Sequence, residues 1–361
     1  MLLKKSVEKK KNPIQYSHLC MQTKYNKKEL LKTKVQHIDI TTFNSISLIQ
    51  SFDHMAFQSR NLANACKIYD TMLKDKECAS ILCLAGSLVS AGLKNVIRDL
   101  ITFNMVDCIV STGAIVVDQD FFEGLGFHHY KGFIDADDNQ LRELMVDRIY
   151  DTFIDEEDLR ICDNTTKIIA DSMKPGVYSS REFIHEMGKY LETHHSKSES
   201  FVLEAYRHDV PIFCPAFSDS SAGFGLVAHQ TQNKNHIAID SVKDFRELTQ
   251  VKVTSKETGI VMIGGGVPKN FVQDTVVAAD ILGIDAPMHK YAIQLTVADE
   301  RDGALSGSTL KEANSWGKVD NKFEQMVYGE ATITFPLLAS YVYHKGNWKN
   351  RKQKKINTIF K

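Results

Sequence analysis

Six short apolar runs, several of them ending in small or polar residues, leave this 361-residue chain few folds to adopt. They are "ASILCLAG" (79–86), "VDCIVSTGA" (106–114), "VPIFCPAFSD" (210–219), "GIVMIGGG" (259–266), "YAIQLTVAD" (291–299) and "EQMVYGEATI" (324–333). Before and between them, apolar residues recur at helical spacing, as in 51–73, 87–104, "LRELMVDRIYDTFI" (141–154) and "SREFIHEMGKYLETHH" (180–195). Uninterrupted apolar strands alternating with helices belong to a buried, mostly parallel sheet covered on both faces. The expected class is α/β.

Sheets of this kind bind ligands in the crevice outside the carboxyl ends of their strands. Here those ends carry Gly86-Ser87, Ser111-Thr112-Gly113, Ser218-Asp219-Ser220-Ser221, Gly264-Gly265-Gly266 and Ala298-Asp299. Small residues let backbone approach a ligand, and N–H groups at a helix start suit a phosphate. One such loop is an ordinary tight turn. Five at one sheet edge predict a dinucleotide pocket. A conventional dehydrogenase is not indicated, because the glycines of "GGGVPK" (264–269) are adjacent and form no GxGxxG.

The formal charge is only -1, yet both ends of the chain are rich in lysine, so the middle is acidic. No groove-reading motif accompanies these lysines; solvated ends are expected and nucleic acid is not. The seven cysteines stand singly, and Cys83, Cys108 and Cys214 fall inside apolar runs, where free cysteine behaves as a small buried hydrophobe. That usage fits a reducing compartment, and without CxxC no zinc site is expected. Adjacent histidines do not share a face, so His128-His129 and His194-His195 are expected as surface or capping residues rather than metal ligands. No run approaches the ~20 apolar residues of a membrane span, and the start lacks the apolar core of a signal peptide. The expected location is cytoplasmic. The expected organisation is a lysine-rich extension over 1–45, one domain over 46–345 and a basic tail over 346–361.

"EANSWGK" (312–318) carries the candidate chemistry, with one of only two tryptophans in the chain. A lysine amine is nucleophilic only when unprotonated, and an apolar wall favours that form, which is how imine-forming lysines are activated. Trp316 could supply the wall or hold a cation against its face. Glu312 could anchor an ammonium or shuttle a proton, and Gly317 would allow close approach of a substrate chain. The alternative is a surface Lys318 following a helix cap, with Trp316 in the core.

The same segment resembles the lysine-bearing active-site segment of the deoxyhypusine synthase family. "AGSLVSAGL" (85–93), "NMVDCIVSTGA" (104–114), "PIFCPAFSDSSAG" (211–223), "GIVMIGGGVPK" (259–269) and "TFPLLAS" (334–340) resemble family segments in family order, over about residues 55–345. The resemblance implies a Rossmann-like fold, NAD, and a homotetramer built from dimers with sites at the dimer interface. It also implies transfer of the aminobutyl group of spermidine, a polyamine, through a lysine imine to an acceptor amine. Carried over by position, Lys318 is the nucleophile, with Glu312, Trp316 and Gly303 at the substrate. Gly86, Ser87, Ser90, Thr112, Gly113, Asp219, Gly265, Ala298, Asp302, Glu330 and Ala331 face NAD, with Glu330 standing for a usual aspartate. Asp118 or, one residue on, Gln119 matches a family glutamate that faces both ligands.

Three substrate positions depart from the family. Phe224 in "SAGFG" and Leu305 in "DGALSG" replace aspartates, and Asn270 replaces a histidine. Buried ammonium groups need counter-charges, so unchanged spermidine anchoring is not expected. The resemblance is thus to the bacterial deoxyhypusine synthase-like branch, an NAD-dependent aminoalkyl transferase with a small diamine as the favoured acceptor. A deoxyhypusine synthase acting on a protein lysine, and a non-catalytic NAD-binding regulatory paralogue, stay open as alternatives. An NAD-dependent deacylase would carry paired CxxC motifs, which this chain lacks.

Overall fold

The computed structural model describes residues 25–302 and 308–360. Each of the six apolar runs contributes one strand: β1 Cys78–Leu84, β2 Cys108–Ser111, β3 Ile212–Phe213, β4 Glu257–Ile263, β5 Tyr291–Thr296 and β6 Glu324–Tyr328. They form one sheet in the order β3-β2-β1-β4-β5-β6, and every pairing is parallel. This is the order of a doubly wound dinucleotide-binding sheet, in which the direction of winding reverses between β1 and β4. Leu84 pairs with both Ser111 and Ile263, so the carboxyl ends of the three central strands lie level.

Helices cover both faces. The Phe57–Lys74 helix places Leu62, Cys66, Tyr69 and Leu73 on one buried stripe, and the Tyr69 hydroxyl donates to the Met105 carbonyl at 3.0 Å. On the other face Leu248, Val251, Val272, Leu310 and Ala313 pack against Ile81, Cys83, Ile260 and Met262. Cys83, Cys108 and Cys214 are buried free thiols, as the apolar runs around them led us to expect. Among the described residues no helix is long and apolar enough to cross a membrane.

Three expectations need correction. The 141–154 stretch is not one helix: a helix over Asp138–Glu143 gives way to antiparallel strands Val146–Ile149 and Thr152–Asp155. Its β-branched and aromatic residues satisfy a two-residue period as well as a helical one, and pairing with Tyr130–Lys131 decides for the sheet. The extension packs from residue 25 onward: Ile40 is fully buried, and 33–38 hydrogen-bond to His129, Lys131 and Gly92. Residues 1–24 lie outside the described residues. The basic tail is docked rather than solvated. Arg351 is buried against Asp107, and Phe360 stacks under the Arg181 guanidinium, 4.2 Å away.

Candidate active site

The crevice between β1 and β4 opens into a cavity of about 920 Å3. Five of the positions expected to face a cofactor line it together: Gly86, Ser87, Ser90, Glu330 and Ala331. Glu330 is the N-cap of the Ala331–Lys345 helix and accepts a hydrogen bond from the Thr332 amide at 2.9 Å, so this helix start faces the cavity. Tyr150, Asp151 and Thr152 of the unforeseen antiparallel sheet, with Val35 and Gln36 of the extension, form the remaining wall. Gly86 would meet nothing within 4 Å if it carried a Cβ, so its backbone fronts open space. Thr112 follows β2, and its buried hydroxyl oxygen has no partner among the described residues, an unmet group of the kind a ligand satisfies. Gly265 caps the Gly266–Gln273 helix, and the Ala298 amide donates to Thr296 Oγ1 at 3.1 Å. Asp302 closes a turn onto the Asp299 carbonyl.

After β2 the chain enters a π-helix, Ala114–Phe121. A π turn takes in one extra residue, and Asp118 and Gln119 both lie within it. Both candidates are used, in different directions. Gln119 Oε1 accepts from the Val89 and Ser90 amides at 3.1 and 3.0 Å and holds the β1 loop. Asp118 Oδ1 accepts from the Ser221 amide at 2.6 Å and holds the β3 loop, where Asp219 lies. Burial pushes the Asp118 carboxyl up to about 6 against the hydrogen bonds from Ser221, and the charges of Asp163 and Asp219 add to the rise. Phe224 sits on the Ser221–Gln232 helix that starts there, and its ring is 69% exposed.

Lys318 occupies a second region. Thr309 and Glu312 cap the Leu310–Ser315 helix reciprocally, so the Glu312 carboxylate serves the helix start. At the other end Gly317 takes φ 69°. The amide of Gly317 donates to Asn314 and that of Lys318 to Ala313, at 2.9 and 3.0 Å. This is the doubled cap that requires a left-handed residue. The glycine between indole and amine is therefore there for the turn. The turn leaves Trp316 at the cap, 71% exposed, with the Lys318 ammonium 5.2 Å from its ring centroid. Among the described residues the indole is not part of the core, which corrects the alternative of a core tryptophan. The ammonium pairs instead with Asp274 Oδ1 at 2.5 Å. Lys269 lies fully buried nearby, donates to the Ser308 carbonyl, and is pushed down to about 8 by burial despite the attraction of Glu312. Asn270 is the next residue on the same helix. Gly303 and Leu305 lie outside the described residues.

Beneath this turn runs a buried polar chain that sequence reasoning missed. Lys252 Nζ donates to Thr258 Oγ1 at 2.7 Å, and Thr258 Oγ1 lies 2.9 Å from His289 Nδ1. His289 Nε2 lies 3.1 Å from the Val272 carbonyl. A carbonyl only accepts, so Nε2 carries the proton and Nδ1 receives that of Thr258. Burial and the charge of Lys252 push the imidazole down to about 3. The three residues share no local motif; only a contact map would have joined them. His129, expected at the surface, is also buried and pairs with Glu123 at 2.7 Å, while His194 and His195 end a helix as expected.

Comparison with known proteins fits this arrangement. The family model described as deoxyhypusine synthase matches residues 47–342. The deoxyhypusine synthase-like protein of Chlorobaculum parvum is 64% identical over 331 residues, covering 91% of this chain and 95% of that protein. The one from Coxiella burnetii is 59% identical over 337 residues, covering 93% and 96%. A solved Entamoeba histolytica structure assigned to deoxyhypusine synthase shares the fold at a TM-score of 0.57 and 20% identity, over 86% of this chain and 97% of that one. A doubly wound sheet, its loops and its lysine turn thus coincide with a match across most of the chain, which belongs to the deoxyhypusine synthase family.

Proposed function

We propose that the protein is an NAD-dependent aminoalkyl transferase that moves an aminobutyl-type group from a polyamine donor, through an imine on Lys318, to a small acceptor diamine. The observation that carries this is the pair of sites on one short helix. Gly264, just before the Gly266–Gln273 helix, lines the large cavity; Asp274, just after it, grips the Lys318 amine.

The cavity fits a dinucleotide: an open backbone at Gly86, the Ser87 and Ser90 loop and a helix start at Ala331 line it together. Bound there, NAD would accept a hydride from the carbon beside the donor nitrogen and return it to the final imine. Ser87, Ser90 and Thr112 would hold hydroxyl and phosphate groups, and Gln119 would keep the first loop in place. Lys318 performs the exchange. Its nitrogen bonds to an imine carbon, the original C–N bond breaks, and the amine fragment leaves. Trp316 would cover the alkyl chain.

Lys318 lines neither this cavity nor the neighbouring one that holds Glu312. Val267, Ile281, Leu282, Ile284 and Met288, on the segments either side of Asp274, are all exposed. Exposed apolar residues so concentrated suit a second copy of the chain. A homotetramer of dimers, with Lys318 reaching the partner's cavity, fits both facts. Phe224 argues against a second ammonium anchor and hence for a donor or acceptor smaller than the family's usual pair.

The test is borohydride trapping after incubation with NAD and a mixed polyamine pool, read by intact-protein and product mass spectrometry. A mass increase on wild-type protein that Lys318→Ala lacks is the expected result. An adduct that survives Lys318→Ala overturns the mechanism, and aminobutyl transfer only to a protein lysine overturns the choice of acceptor.

A further inference from the structure

Beside Lys318 stands a carboxylate that no motif announced. Asp274 Oδ1 lies 2.5 Å from Lys318 Nζ, and the Asp274 side chain keeps 41% of its surface exposed against 19% for the lysine. It therefore has a free side that a second amine can reach. The pairing is not a chance meeting of two mobile side chains, because one buried residue fixes both backbones. The His289 ring holds the Val272 carbonyl, in the last turn of the helix that Asp274 caps. The His289 amide donates to the Lys318 carbonyl at 2.9 Å, and the Asp320 amide donates to the His289 carbonyl at 2.9 Å. Thr258 and Lys252 in turn orient the ring. Five residues thus set how far the amine stands from the carboxylate.

We infer that Asp274 is a catalytic carboxylate of the lysine exchange, taking a proton from the Lys318 ammonium and passing it to the amine that Lys318 displaces. The inference rests on the Lys318 mechanism proposed above. The protons balance. The Lys318 ammonium gives one proton to Asp274 and attacks the protonated imine carbon as a free amine. In the resulting adduct a second proton moves from the Lys318 nitrogen to the donor nitrogen, whose C–N bond then breaks. The fragment leaves as a neutral amine, receives the proton held by Asp274, and departs as an ammonium. Lys318 is left as a protonated imine and Asp274 as a carboxylate, ready to hold the incoming ammonium.

The test compares Asp274→Asn, Asp274→Ala and Lys318→Ala in the full chain. NAD titration by fluorescence checks the fold, and single-turnover borohydride trapping gives the rate of adduct formation. Asp274→Asn is expected to bind NAD within about twofold of wild type and to form the adduct about a hundredfold more slowly, as for loss of a general acid–base group. Formate, a free carboxylate, is expected to restore part of the rate in Asp274→Ala. Wild-type trapping by Asp274→Asn, or an Asp274→Ala loss that formate leaves untouched, overturns the inference while the Lys318 mechanism stands. An adduct absent from wild type itself sinks both.

Discussion

The cavity at the β1–β4 crevice and the turn that carries Lys318 lie at opposite ends of one eight-residue helix, about 12 Å apart along its axis, and they are built from different materials. The cavity's sheet side is made largely of backbone and small hydroxyl residues at strand ends, each placed by the strand that precedes it. The lysine turn is made of side chains from distant segments, with Asp274, His289, Thr258 and Lys252 converging from four elements. A backbone cradle tolerates changes of side chain so long as no Cβ intrudes. A side-chain network fails when any single member is removed, because buried polar groups lose their partners. The cavity end, proposed to hold NAD, should therefore be robust and the lysine end brittle.

The sharpest test of that contrast is Lys318→Ala. Turnover should fall by at least about a thousandfold, as for loss of a nucleophile, while NAD affinity stays within about twofold by fluorescence titration. Equal loss of both would mean the two ends are one cooperative site. His289→Leu comes next. It strands the Thr258 hydroxyl and the Val272 carbonyl in the core, and should cost about 3 kcal/mol by denaturant unfolding, with slower adduct formation. An unchanged unfolding midpoint would show that the buried chain does not brace the turn. Gly113→Ala probes the cradle from the other side. Its Cβ would sit 2.6 Å from Ser220 Cβ and 2.8 Å from Ser220 Oγ, so the β2 and β3 loops must part. The expected cost is about 2 kcal/mol, together with weaker NAD binding and little change in the Lys318–Asp274 pair.

The same difference decides what the sequence could reveal. Strand ends are consecutive in the chain, so "GS", "STG" and "GGG" after apolar runs announced the cradle and the doubly wound sheet together. Gly317 was visible too, and the helix cap before Lys318, offered as the alternative reading, is present. Asp274 and His289 carry no local signal: the first is an ordinary helix-end acid and the second a lone histidine before β5. The hairpin over 146–155 was misread because its apolar residues satisfy two periods, and only its partner strand at Tyr130–Lys131 chooses between them. Docking of the tail depends likewise on Asp107, more than two hundred residues from Arg351.

The smallest expected effect falls at Asp118, which holds the β3 loop. Its carboxyl is raised to about 6 in the folded chain, against about 3.9 for a free aspartate. Between those values the folded protein keeps a proton that the unfolded chain has released. Stability must then fall as pH rises from about 4 to about 6, and level off above. Asp118→Asn keeps an oxygen for the Ser221 amide and removes the titration, so it should flatten this slope. The gain above pH 6 should be of order 1 kcal/mol, less than the full shift because water reaches the half-buried carboxyl. Unfolding curves from pH 4 to 8 on the two proteins give the comparison directly. A parallel pair of curves would mean that Asp118 does not titrate in this range. The π turn would then have placed it as a fixed anion at the β3 loop.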